Sequence, residues 1–115
     1  MKLTGEGKLV RIFIGETDKH HHMQLYDTIV KRAREEHLAG ATVLRGVEGF
    51  GARSVIHKVS LLDLSEDLPM IIEIVDTAEK IEQFLPIIDT LLEEARCGAM
   101  VTVEKVDIRK YTAGK

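Results

Sequence analysis

The run Met70-Ile71-Ile72-Glu73-Ile74-Val75 constrains this chain more than any other stretch. A strand projects alternate side chains to opposite faces. Here Ile72 and Ile74 serve one face, and Ile71 and Val75 the other. A strand of this kind needs apolar cover on both sides. Leu9-Val10-Arg11-Ile12-Phe13-Ile14, closed by Gly15, is a second β-rich run, and its apolar stretch after Arg11 predicts another inner strand.

Two helical patterns flank these runs. Leu25, Tyr26, Ile29, Val30, Ala33 and His37 recur at helical spacing, with Lys31, Arg32, Arg34, Glu35 and Glu36 on the outward face. Gly40 is placed to stop this helix in a left-handed conformation. Asp76, with Glu79 three residues on, has the capping-box pattern of a second helix. That helix is carried by Ile81, Phe84, Leu85, Ile88, Leu91, Leu92 and Ala95, and Pro86 inside it predicts a kink or a break near Phe84. Ala41 to Val47 reads as a strand, as does Met100 onward after Cys97-Gly98-Ala99. The apolar phase moves from Val101 and Val103 to Val106 and Ile108, which predicts a bulge near Glu104-Lys105. Residues 1–7 are polar and glycine-bearing and are expected to fray.

The order is strand, helix, strand, a long arm over residues 52–68, strand, helix, strand. This is the βαββαβ, ferredoxin-like split βαβ pattern of an α+β protein, with an antiparallel sheet and both helices on one face. The 115 residues suit one domain. Two apolar sheet faces with helices for only one imply an oligomer. Long connections such as 52–68 tend to carry function.

Composition removes several classes. The net charge of −3 and 4% aromatic content argue against a nucleic-acid binder, which relies on clustered cations and stacking platforms. One cysteine, Cys97, excludes an internal disulfide and a multi-cysteine zinc site. No stretch approaches the ~18 apolar residues of a membrane span, and no signal peptide opens the chain. The expectation is a soluble, cytoplasmic protein.

The candidate chemistry centres on residues 40–53, where a hydrophobic strand runs into Gly46-Val47-Glu48-Gly49-Phe50-Gly51 with Arg45 and Arg53 beside it. Glycines there allow a bulge or a sheet corner, or they let backbone amides approach an anion. His20-His21-His22 offers metal ligands, although consecutive side chains diverge on a helix or a strand. Asp63, Glu66 and Asp67 read as solvated loop acids, with no nucleophile–base pair beside them. His57 is a candidate partner contact in the arm. Cys97 has no activating histidine nearby in sequence and reads as an inert thiol.

Leu38-Ala39-Gly40-Ala41-Thr42-Val43 followed by Gly49-Phe50-Gly51 resembles the strand that leads into the mobile T-loop of the nitrogen-regulatory PII signalling proteins. Leu68-Pro69 with Ile72-Glu73-Ile74-Val75 resembles the strand that closes that loop. A fuller likeness is to the PII-like domain of unknown function 190 family. It runs from Arg11-Ile12-Phe13-Ile14-Gly15-Glu16 through Ile56-His57 and Leu64-Ser65-Glu66-Asp67-Leu68-Pro69 to Glu73-Ile74-Val75-Asp76. The resemblance implies a homotrimer that binds ADP or ATP, with or without magnesium, in clefts between subunits. It carries no prosthetic group and no catalytic residue.

By position, the resemblance implies that Thr42 meets adenine, that the backbone of Gly49, Phe50 and Gly51 faces the nucleotide, and that Gly98 lies near phosphate. Arg53, Arg109 and Lys110 would neutralise charge. Residues 52–68, with His57, Glu66 and Asp67, would report to a protein partner such as a membrane transporter or a metabolic enzyme. The departures are as specific as the matches. Arg53 lies near the place of a PII glutamine that serves magnesium-ATP and 2-oxoglutarate. No tyrosine lies between Gly51 and Pro69, and the glycine-rich B-loop is reduced to Cys97-Gly98-Ala99. The alternative is a metal-binding or stress-response trimer of the same architecture that uses His20, His21 and His22.

Overall fold

The computed structural model describes residues 3–60 and 67–114. Its elements are β1 (Gly5–Gly15), β2 (Lys19–His20), β3 (Met23–Gln24), α1 (Leu25–Glu35), β4 (Thr42–Arg45), β5 (Glu48–Gly49), β6 (His57–Lys58), β7 (Pro69–Asp76), α2 (Ala78–Ala95) and β8 (Met100–Ile108). Strands β4, β7, β1 and β8 form one antiparallel sheet in that order, so the two apolar runs are its inner strands. This is the ferredoxin-like arrangement expected from the element order. Two small hairpins, β2–β3 and β5–β6, stand apart from it.

Val10, Ile12 and Ile14 of β1 pair across the sheet with Ile74, Ile72 and Met70 of β7, and all six are buried. Leu25, Ile29 and Ala33 of α1 and Ile81, Phe84, Ile88 and Leu91 of α2 close over them. Fully burying one such side chain contributes ~1.5–3 kcal/mol, so this face supplies most of the drive to fold. The opposite face holds Leu9, Phe13, Ile71 and Val75, all only part-buried. Leu44 and Met100, at its two edges, are exposed. At its centre Arg11 donates Nε to Glu73 at 2.7 Å and pairs on its other side with Glu104. Helices cover one face only.

Several local expectations are corrected. Residues 1–7 do not all fray: β1 pairs with β8 from Gly5, and Leu3 is buried, because the ladder extends to Ile108. The left-handed stop of α1 falls on His37, with φ 61°, and not on Gly40. Leu38 N–H then reaches Ala33 O at 3.0 Å and His37 N–H reaches Arg34 O at 3.1 Å, the paired bonds of a Schellman closure. The cap of α2 is Thr77, whose hydroxyl accepts from Lys80 N–H at 3.2 Å, and not Asp76. Pro86 does not break α2, which runs unbroken from Ala78 to Ala95. Its ring is exposed while Phe84 and Ile88 face the core, so the donor it lacks is missed on the solvent side.

No bulge interrupts β8, whose register with β1 is continuous from Met100 to Ile108. The change of phase has another cause. Val101 and Val103 pair with Ile12 and Val10 on the helix-covered face, whereas Val106 and Ile108 pair with Gly7 and Gly5 on the other. A Cβ on Gly7 would lie 2.5 Å from Ile108 Cδ1, so Ile108 packs over that glycine. One straight strand serves two faces.

Asp76 ties the layers together. It is fully buried, and its carboxylate accepts from Ala39 N–H at 2.8 Å and from Thr77 N–H at 2.6 Å. It thereby joins the start of α2 to the segment between α1 and β4. Asp76→Ala would leave buried amides unsatisfied, and a loss of about 2–4 kcal/mol in urea unfolding is expected. Asp76→Asn, which keeps an acceptor, is expected to lose less in the same measurement.

Candidate functional site

The sheet brings four segments of the chain to one of its ends. Gly15 pairs with Pro69, Arg45 with Met70, and Phe13 with Met100. Residues 15–18, 67–69, 46–53 and 97–98 therefore emerge side by side. The glycine-rich stretch is built onto Pro69. Gly46 N–H donates to Pro69 O at 2.7 Å, and a Cβ at Gly46 would lie 2.7 Å from Pro69 Cγ. At Gly49 the same approach is 3.2 Å. Close packing inside the chain thus accounts for Gly46 and leaves little room at Gly49. Gly51 and Gly98 are different, since a Cβ at either would meet nothing within 4 Å.

Beyond Gly46 the chain forms a finger. Glu48 and Gly49 pair with Lys58 and His57, and Val59 N–H reaches Val47 O at 2.8 Å. Its tip turns where Ser54, with φ 57°, donates its N–H to Gly51 O at 2.9 Å. Phe50, Val55, Ile56 and Val59 are exposed along it. Glu66 lies outside the described residues, as does the 61–66 part of the arm.

Acidic groups organise the floor. Asp18 accepts from Gly15 N–H at 2.7 Å, and Asp67 accepts from Thr17 N–H at 2.8 Å. Asp67 is thus bound to the β1–β2 turn and does not face outward as a free arm acid. Arg45 Nε lies 3.1 Å from Glu16, a surface pair worth little by itself. Burial pushes the Asp18 carboxyl above the usual carboxylate range. The Gly15 N–H opposes that shift, the charge of Asp67 adds to it, and Arg53 opposes it. Burial, then the charge of Asp18, pushes the Cys97 thiol up, which makes it a poor nucleophile. Asp18 thus feels Arg53 from one segment and acts on Cys97 in another.

The remaining sequence candidates lie elsewhere. Thr42 opens β4, exposed at the edge of the sheet and paired with Glu73 in mid-strand. Arg109 and Lys110 follow β8 at the far end, past the pair Gly5–Ile108, and are exposed. The length of β8, nine residues at about 3.3 Å each, separates them from Gly98. One chain therefore brings Gly49, Phe50, Gly51, Arg53 and Gly98 to one end and holds Thr42, Arg109 and Lys110 away. His20, His21 and His22 lie on the β2–β3 hairpin. Reading the sequence missed Asp18 and Glu94, the latter 2.6 Å from His20. Neither carries a local signal, because each acts through partners distant in the chain. Among the described residues no helix is long and apolar enough to cross a membrane.

The fold is PII-like. The CPII protein of Thiomonas intermedia, a nitrogen regulatory PII-like protein whose structure is bound to ADP, AMP and bicarbonate, superposes with a TM-score of 0.69. It covers 91% of this chain and 90% of its own, at 14% identity. The divalent ion tolerance protein CutA1 of Ehrlichia chaffeensis is also similar in fold, with a TM-score of 0.55, 10% identity, and 97% and 89% of the two chains covered. In sequence, residues 7–108 match the domain of unknown function 190 family, described as "Uncharacterized ACR, COG1993". A UPF0166 protein of Aquifex aeolicus is 36% identical over 101 residues, which are 88% of this chain and 91% of that one. The chain belongs to the domain of unknown function 190 family.

The raised Asp18 carboxyl has a consequence for stability. A carboxyl whose folded value exceeds its unfolded one stabilises the fold when protonated, and that contribution is lost as pH rises through the folded value. Asp18→Asn keeps an acceptor for Gly15 N–H and removes the charge. The variant is expected to melt above the parent at pH 7, with the gap closing below the unfolded value near 3.8. Thermal unfolding at both pH values checks this.

Proposed function

We propose that the protein is a PII-like regulatory protein that binds ADP or ATP between the subunits of a homotrimer and signals through the 52–68 arm. The observation that carries this reading is the division of the candidate residues. Gly51, Arg53 and Gly98 gather at one end of the sheet around open space, while Arg109, Lys110 and Thr42 stand exposed and unable to join them within the same chain. A second copy supplies the missing half. The uncovered sheet face, with exposed Leu44 and Met100 at its edges, provides apolar surface for such an assembly. The PII-like fold supports adenine nucleotide as the ligand class, since CPII of this fold holds ADP and AMP.

In this reading the open space at Gly51 and Gly98 admits phosphate against backbone amides. Arg53 and the partner's cationic tail neutralise it, and Thr42 supplies a hydroxyl for adenine. Asp18 and Asp67 set the position of the turn and act without touching the ligand. Magnesium, where present, would ride with the nucleotide. The exposed Phe50, Val55, Ile56 and Val59 form the apolar surface by which the arm meets a protein partner. In this reading the chemistry is binding, and the thiol of Cys97 is pushed away from reactivity.

Titration calorimetry of the full chain with ADP and ATP, beside sedimentation for oligomeric state, tests the proposal. A trimer and saturable nucleotide binding are expected. Arg109→Ala is expected to weaken binding by about 1.5–3 kcal/mol, the loss of a charge-assisted contact. A monomer with no heat at millimolar nucleotide would reject the proposal, and unchanged affinity in Arg109→Ala would reject that placement.

A further inference from the structure

The β2–β3 hairpin pairs Lys19 with Gln24 and His20 with Met23, so it turns through His21 and His22 alone. Both have left-handed backbone, with φ of 48° and 70°. A two-residue turn with positive φ at both centres is ordinarily made by Asn-Gly or Asp-Gly. Histidine is more tolerant of this region than most residues with a Cβ, yet glycine or asparagine fits it with less strain. The strain has a geometric result. On a straight strand consecutive side chains point to opposite faces. Here the rings of His20 and His21 lie 4.1 Å apart, edge to face.

Helix α2 brings a third group to the same place. Glu94 Oε1 is 2.6 Å from His20 Nε2, and one ligand atom from each of His20, His21 and Glu94 lies within 4.8 Å of the others. A tetrahedral ion with bonds of about 2.0–2.2 Å spaces its donors roughly 3.4 Å apart. Glu94 and His20 would need to part by less than about an ångström, and His21 to close by at most about 1.4 Å. We propose that His20, His21 and Glu94 form a site for a divalent transition-metal ion, with the remaining position open to the adjoining cleft.

Two imidazoles and one carboxylate are a borderline donor set suited to zinc, cobalt or nickel rather than to calcium or magnesium. The His20 side chain is 13% exposed and Glu94 48%, and His21 is exposed as well, so the site lies at the surface beside the mouth of a cleft that His20 and Glu94 line. The cleft, about 340 Å³, is also lined by Arg32, Ile87 and Thr90. Arg32 opposes a cation, and its ion pairs with Glu35 and Glu36, at 3.7 and 3.9 Å, offset that charge. His22 is outside the set. The site is complete within one chain and does not depend on the nucleotide reading.

The test is calorimetry of tag-free, metal-free full-length protein with zinc chloride, beside the visible absorption spectrum with cobalt. One zinc per chain is expected, with a cobalt spectrum of low coordination number. Glu94→Gln and His21→Asn should each weaken zinc by about tenfold or more, since even residues behind a metal's ligands have effects of that size. Both variants suit the fold, because glutamine keeps a partner for His20 and asparagine is at ease in the turn. Melting curves confirm folding. His22→Asn should bind as the parent does. No uptake at millimolar zinc, uptake unchanged in both ligand variants, or equal loss in His22→Asn would overturn the assignment.

Discussion

Among the described residues, two helices stand over one face of a four-stranded sheet with two apolar faces, and much else follows from that one-sided cover. The isoleucines of β1 and β7 that point toward α1 and α2 are sealed. Their neighbours on the other side are half-covered, around Arg11 clamped between Glu73 and Glu104. A charged cluster thus stands at the middle of an otherwise apolar face. The same economy puts β4 and β8 at exposed edges. Both edge strands end in the residues assigned to ligand binding, and one chain cannot bring those ends together.

The glycine-rich stretch looked uniform and is not. Gly46 is a glycine because Pro69 occupies the space a Cβ would need, and a Cβ at Gly49 would be tight against the same ring. Gly51 meets no such obstacle. Packing therefore explains the glycine nearest the sheet and leaves the one farthest out without a steric reason inside the described chain. Nearby, burial and the neighbouring Asp67 push the Asp18 carboxyl above the usual carboxylate range, against the Gly15 N–H and Arg53. Such a cost is in keeping with a turn whose position matters more than its stability.

The architecture was legible in the sequence because hydrophobic periodicity is set by the burial of whole elements. The inner strands, both helices and the antiparallel order could be read from Ile12, Ile72, Phe84 and their neighbours. What failed was punctuation. A histidine took the left-handed closure expected of Gly40, a threonine took the cap expected of Asp76, and α2 runs on through Pro86, which sits on the solvent face, without a break. These outcomes turn on where the chain must go next, which local preference does not encode. The phase shift in β8 likewise required knowing which face each strand residue meets.

By itself, then, the sequence determined the fold class and the one-sided helical cover, and it named the candidates for a ligand site, since each depends on side-chain chemistry and periodic spacing. Only the tertiary structure decided which of those residues meet. Asp18 beside Arg53, Asp67 against the β1–β2 turn, and Glu94 against His20 are pairings between distant parts of the chain. The separation of Arg109 from Gly98 is equally a fact of register, because the length of β8 lies between them. Such distances are set by how elements pack against one another, and no local pattern carries them.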